Sequence, residues 1–420
     1  MAIKGRRPMS VRVPVRTARS REEAAVALVI KVGQALHAYG APAHQLEASL
    51  TMLAEKLGIE GRFFSTPTAM MVGFGPVQEG RTSLVRVEPG ETNLGKMAQL
   101  HELMIAIASE RIDPEAGCER VAEIAEARVP YPAWLTSICC GLAGSAAAVF
   151  FGARPLEVTV AFTIGVAVSA ISRGAERFRP VAQMMGVLAG AVATTLASLS
   201  TWWLGPIAIF PTALAGIVTL LPGLAFTTAM TELATRNLAS GTARFAGACV
   251  QLLALGLGLG LGVQAAAQIG PPLPPFVWPL GFRLVAVVVG AIAASTLLRA
   301  RVRDLAAIIG ASLVGYLSAR IGGAGFGPVI GAFLGALVLE LVSIAYARLF
   351  ERPVAVTLLP GLIVLVPGSI GMHSVHALLE NDVVAGVQGA FSMLLIAMAL
   401  AGGLIVANAA LPAPRGRVVS

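Results

Sequence analysis

Ten apolar runs, each long enough to cross a lipid bilayer, fill the chain from about residue 133 to residue 410. Lipid offers no partner to a backbone N–H or C=O, so each run must close its hydrogen bonds internally as a helix. The runs cover 133–153, 155–172, 180–200, 207–230 and 244–264, then 279–298, 304–321, 325–347, 353–376 and 384–410. Charge follows the same division: the first 130 residues hold 16 of the 31 Lys and Arg and 15 of the 23 Asp and Glu. With a mean hydropathy of +0.78, the chain reads as a mainly α polytopic membrane protein behind a small soluble α+β domain.

The placement of arginine tests this count. With the N-terminal domain in the cytoplasm, the inner loops and tail hold Arg173, Arg177, Arg179, Arg236, Arg244, Arg299, Arg301, Arg303, Arg348, Arg352, Arg415 and Arg417. The outer loops keep Arg154, Arg283 and Arg320. That asymmetry is what the positive-inside rule asks for, and it puts both termini in the cytoplasm. The net charge of +8 is therefore a topology signal rather than the footprint of a nucleic-acid binder. Cys118, Cys139, Cys140 and Cys249 form no CxxC pair and no metal-ligand spacing.

The basic N-terminus leads into no apolar stretch, so residues 1–21 read as a disordered arm rather than a secretory signal. The soluble domain spans 22–130. Its helical periodicity from Glu22 to Leu57 is broken at Tyr39-Gly40-Ala41-Pro42. Strand candidates follow at Arg62–Phe74 and Ser83–Val87, then helices near Leu94–Ser109 and Pro114–Glu126. His37, His44 and His101 have no partner at ligand spacing and read as ordinary helix residues. The domain shows no nucleophile elbow, phosphate loop or HExxH, so no enzyme chemistry, cofactor or metal is expected.

The membrane part divides at a Pro-rich outer linker, 270–279, into 131–269 and 280–411, with a short tail over 412–420. The two parts match at a constant offset of 145: Pro222-Gly223 with Pro367-Gly368, Gly241 with Gly386, Gly165 with Gly310, Gly186 with Gly331, Gly190 with Gly335, and Gly258 with Gly403. Five helices is an odd number, so the second unit is expected upside down relative to the first. Inverted repeats of this kind are characteristic of secondary transporters, whose substrate site lies between the halves.

The repeated Pro-Gly should break the fourth and ninth runs near their ends, exposing backbone groups that a substrate can use and lipid cannot. A second Pro-Gly, Pro360-Gly361, precedes the latter by one heptad. Polar side chains follow each break. Pro222, Gly223, Thr227 and Thr228 in the first half, and Pro367, Gly368, Ser369 and His373 in the second, are the candidate substrate-binding residues. Hydroxyls and opened backbone suit a small zwitterion. Candidate proton-coupling or gating groups are Glu232, His376, Asp382 and above all Glu340, the carboxylate set among apolar residues of the eighth run. A charge there costs on the order of 3 kcal/mol and persists where it faces a cavity or partner.

Four motifs together carry a family resemblance: YGAPAHQLEASLTMLAEKLG over 39–58, VPYPAW over 129–134, LLPGLAFTTAMTELATRNLASGTAR over 220–244, and LVPGSIGMHSVHALLENDVVAGVQG over 365–389. On these residues the chain resembles the threonine/serine exporter family of bacterial inner-membrane proteins. The resemblance implies secondary export of small hydroxylated amino acids, threonine and serine, driven by the proton-motive force. Relatives with split halves are linked to dicarboxylate efflux, so a C4-dicarboxylate such as succinate is the alternative substrate. A membrane-anchored sensor or enzyme acting through the soluble domain is the alternative of another class. The implied partners are the small-molecule substrate, protons and the lipid bilayer, with no nucleic acid; a homo-oligomer stays open.

Overall fold

The computed structural model describes residues 15–76, 80–87, 90–128, 130–175, 177–265, 274–366 and 368–411. Pro367, residues 1–14, most of the linker's first half and the 412–420 tail therefore lie outside the described residues.

The N-terminal domain begins with α1 (Val15–Ala38), which starts inside the stretch read above as an arm. The chain turns at Gly40, whose φ of +85° suits a residue without a β-carbon, and enters α2 (Ala43–Lys56). Three antiparallel strands follow in the order β1 (Gly61–Thr66), β2 (Ala69–Phe74) and β3 (Arg81–Arg86). The stretch expected as one strand, Arg62–Phe74, is thus a hairpin. Pro67 has no N–H for a ladder, and the Thr66 hydroxyl both donates to the Ala69 carbonyl (3.0 Å) and accepts from the Ala69 N–H (3.1 Å). Helices α3 (Leu94–Ala108) and α4 (Pro114–Glu126) complete the domain.

The membrane part comprises α5 (Ala133–Phe150), α6 (Pro155–Ala175), the short α7 (Arg179–Gln183), α8 (Met185–Leu204), α9 (Ile209–Gly216), α10 (Gly223–Ala234) and α11 (Leu238–Ala265). After the linker come α12 (Leu280–Leu297), α13 (Leu305–Phe326), α14 (Pro328–Phe350), α15 (Ala355–Leu365), α16 (Gly368–Leu379) and α17 (Val383–Ala410). Among the described residues nine stretches are long and apolar enough to cross a membrane, and ten if the bent pair α9–α10 is one span.

The breaks fall mid-span, not near the ends. In the first half the helix stops at Gly216, passes through a 3-10 turn at Val218–Leu220, and resumes at Gly223 with a bend of 59°. In the second half α15 ends at Leu365 and α16 starts at Gly368. Pro360 does not break its helix: α15 runs through it, and Gly361 seats the Leu339 side chain of α14 against the backbone.

Shifting α10 and α11 by 145 residues gives 368–379 and 383–410, the bounds of α16 and α17. The packing repeats as well. Gly241 lies under the Leu233 side chain and Gly386 under that of Leu378, and these leucines are also 145 apart. Gly258 lets α11 close on the α8 backbone at Val187, while a β-carbon on Gly403 of α17 would lie 2.5 Å from the Phe333 carbonyl oxygen of α14. Small residues let helices approach this closely where lipid supplies no hydrophobic drive between them.

The N-terminal domain is seated on one end of the bundle and shares its core. Leu28, Leu46 and Leu100 belong to one buried cluster with Ala291, Ile308 and Val356 of α12, α13 and α15. Each buried leucine is worth about 1.5–3 kcal/mol, so this seat is part of the fold.

Candidate functional site

The glycines of the repeated Pro-Gly meet. A β-carbon on Gly223 would lie 3.2 Å from the Gly368 nitrogen and overlap the Val366 side chain; one on Gly368 would lie 3.4 Å from the Gly223 Cα. Two half-helices, α10 and α16, therefore begin at a single crossing point between the halves. Each brings the free N–H groups of a first turn, and the partial positive charge of a helix N-terminus, to that point. No side chain caps α10, whose N-cap residue is Pro222. On the opposite side of the first break the Leu220 carbonyl accepts from the Gln251 amide of α11 (2.7 Å).

The candidate substrate residues are arranged around this crossing. The buried Thr227 hydroxyl donates back to the Gly223 carbonyl (3.2 Å), while Thr228 and Ser369 are half-buried. The Ser369 carbonyl meets His373 Nδ1 at 2.8 Å. The His373 ring stands edge-on to Phe210 (5.3 Å) and Phe151 (6.4 Å), and His376 stacks on Phe210 at 3.7 Å while lying 3.2 Å from Glu380. These two histidines thus form an aromatic wall on the side of the crossing away from the N-terminal domain. Asp382 is exposed and caps α17, accepting from the Ala385 N–H at 3.0 Å. Among the described residues no three His, Cys, Asp or Glu come together as a metal site would need.

Glu340 of α14 is 3% exposed. Its Oε1 accepts from the Asn408 amide of α17 at 2.7 Å, and its Oε2 has no hydrogen-bond partner among the described residues. The Ser343 hydroxyl one turn on, and the Thr357 hydroxyl of α15, are also buried without a partner among the described residues. A carboxyl held this way can take a proton on the free oxygen and release it with little rearrangement. Asn408 was not singled out in the sequence, although an amide late in an apolar run was the available signal.

Glu232 lies in another place, at the far end of α10 from the crossing. It is fully buried and accepts from the Ser240 hydroxyl (2.8 Å), the Arg244 guanidinium of α11 (3.1 Å) and the Ala43 N–H of α2 (3.1 Å). The last contact joins the two parts of the chain, because α2 has Pro42 as N-cap and no side-chain cap of its own. Beside it, burial pushes His44 below the ordinary imidazole range, and burial also lowers His37 despite its contact with the Thr66 carbonyl (3.0 Å). Burial raises Glu47, which accepts from the Ser65 N–H at 2.7 Å.

A second junction escaped the sequence reading. Glu102 of α3 receives Arg301 (2.8 Å), Arg303 (2.9 Å) and Arg352, and Glu91 receives Arg299. Backbone bonds run from Leu94 N to the Leu298 carbonyl (2.9 Å) and from Gly95 N to the Arg299 carbonyl (3.1 Å). At the other end of the bundle Glu157 accepts from Arg154 N (2.6 Å) and Ala208 N (2.7 Å), fixing the start of α9.

Comparison with known proteins agrees with this layout. A threonine/serine exporter family model matches residues 27–266, and a second, described as "Threonine/Serine exporter, ThrE", matches residues 283–410. Relatives named pheromone-regulated membrane protein 10 occur in Pichia sorbitophila (26% identical, covering 86% of this chain and 37% of the relative) and Eremothecium gossypii (26%, 82% and 48%). The one from Yarrowia lipolytica is 25% identical, over 90% of this chain and 32% of its own length. The chain spans 32% to 48% of the length of these fungal relatives. No solved structure matches. The boundary between the two family matches falls at the linker between the halves, and together they cover the N-terminal domain and both breaks: the chain belongs to the threonine/serine exporter family.

Proposed function

We propose that the chain is a secondary active exporter of small hydroxylated amino acids, threonine and serine. In this reading two inverted five-helix halves rock about the Gly223–Gly368 contact, and Glu340 carries the coupled proton. The carrying observation is the meeting of the two half-helix N-termini at one crossing between the halves. Paired N-termini favour a carboxylate, and opened backbone carbonyls favour an ammonium group, so the crossing suits a zwitterion. The 145-residue correspondence of α10 and α11 with α16 and α17 supports the repeat, and five spans per half support its inversion. With the arginine-rich loop ends on the side of the N-terminal domain, the termini face the cytoplasm. In a bacterial host the inner membrane holds the protein.

The test is efflux of labelled threonine, serine and succinate from proteoliposomes, with and without an imposed proton gradient, for the native protein and Glu340→Gln. Gradient-dependent threonine or serine efflux that the substitution abolishes is the expected result. Movement of succinate alone would replace the substrate with a dicarboxylate. Efflux unaffected by Glu340→Gln would remove that residue from the coupling step.

A further inference from the structure

The N-terminal domain touches both halves of the membrane part, and the two attachments are unequal. Toward the second half it shares a hydrophobic core through Ala291, Ile308 and Val356, and makes two backbone hydrogen bonds to the α12–α13 connection. It also binds three arginines on Glu102 and a fourth on Glu91. Toward the first half, the one side-chain bond among those described is that of Glu232 to the Ala43 N–H.

Glu232 is also mechanically placed. It lies nine residues along α10 from Gly223, so the crossing and the carboxylate are opposite ends of one rigid half-helix. At 1.5 Å per residue, a tilt of about 15° at the crossing displaces Glu232 by roughly 3.5 Å. A hydrogen bond of 3.1 Å does not survive that displacement. A tilt of this size in α10 therefore detaches α2 from Glu232 and leaves the seat on the second half untouched.

We propose that the N-terminal domain is the inner gate of the transporter, riding with the second half and latching onto the first through the Glu232 cap on helix α2. The gate rests on the transporter reading above, and Glu232 acts in it as a positioning residue. Because α11 packs on α10, with Gly241 under Leu233, the two helices move together and the carboxylate keeps Arg244 and Ser240 when α2 leaves, so no uncompensated charge is created in the membrane part. Release costs the cap on α2 and the light packing of β1 on α11, little enough to make the latch reversible.

Two measurements on the full-length protein in proteoliposomes test it. In the first, Ala43→Cys and Ser240→Cys, whose native groups both bind the Glu232 carboxylate, are joined by oxidation or a short bifunctional thiol reagent. Each single substitution treated alike is the control for the native cysteines. The joined protein is expected to lose at least tenfold in labelled threonine efflux and to recover when the link is reduced. Native-rate efflux with the link in place would overturn the gate. The second measurement needs no substrate: hydrogen exchange of the amides over Ala43–Glu47, against those over Leu94–Met97. The first set is expected to exchange at least tenfold faster, since its latch opens while the seat on the second half stays closed. Equal protection of the two sets would also overturn the proposal. If the reduced protein moves no amino acid at all, the exporter reading fails, and the exchange comparison still decides the latch.

Discussion

Replacing Gly223 by alanine places a methyl group inside the Val366 side chain and 3.2 Å from the Gly368 nitrogen. The Gly368 backbone cannot retreat without moving α16, so Val366 or the crossing itself must shift. Overpacking of this kind costs about 1–3 kcal/mol. Val366 is half-buried, and Val366→Ala alone should cost about 1 kcal/mol from the lost methyl burial. The double substitution Gly223→Ala/Val366→Ala removes the overlap, so its cost should fall short of the sum of the singles by about 1–2 kcal/mol. Thermal unfolding in detergent gives the stability cycle, and labelled threonine efflux at a temperature where every variant is folded gives the functional one. Gly223→Ala should slow efflux about tenfold, equivalent to ~1.4 kcal/mol, with Val366→Ala restoring part of it. Additive costs, or native efflux from Gly223→Ala, would refute the close crossing of the two breaks.

Asn408→Leu should lower efflux, because it removes the amide that donates to Glu340; if it leaves efflux unchanged, Asn408 does not hold the carboxylate in place. Glu340→Gln keeps the shape and removes a buried charge, so unfolding of that variant should be unchanged or later than native, and a fall of several degrees would contradict it. Glu102→Ala releases three arginines and should destabilise by about 1–2 kcal/mol at low salt, with the difference shrinking by 0.5 M salt on the order expected for partly exposed pairs; a salt-independent cost would point to packing instead. Burial holds His37, His44 and His101 below the ordinary imidazole value of about 6.5. Groups depressed in the folded state contribute stability that is complete above the unfolded value and lost as pH falls toward the folded one. The unfolding temperature should therefore decline between about pH 7 and pH 5, and His101→Gln should flatten the decline; a flat native profile would show these histidines to be as exposed as in the unfolded chain.

The membrane spans were legible because they are a local property. An apolar run of sufficient length has no alternative to a helix in lipid, so the ends of α8, α12, α14 and α17 fall within a few residues of the apolar runs. The repeated Pro-Gly was equally legible as a break, since proline removes a donor wherever it stands. Its depth was not. Where a bent helix resumes depends on which partner holds the new N-terminus, and here that partner is the other break, 145 residues away. Pro360 shows the converse: the same dipeptide sits inside a continuous α15 because Leu339 packs over Gly361. The strand Arg62–Phe74 was misread for a smaller reason, a turn closed by one threonine hydroxyl around Pro67.

The amino-acid order alone determined the class of protein, a mainly helical polytopic membrane chain, and the rarity of a carboxylate at position 340. These rest on hydropathy, charge placement and periodicity, which act over tens of residues and need no knowledge of neighbours. Tertiary structure alone decided which charges meet. Arg301, Arg303 and Arg352 read only as inner-loop charges until Glu102 gathers them, and Glu232 read as one polar residue after a break until it caps a helix 189 residues earlier. A buried charge or an uncapped helix end demands a partner, and the demand can be read from sequence. Which distant group answers it is fixed only when packing brings the two within about 3 Å, because hydrogen bonds act over that distance and carry no signature along the chain.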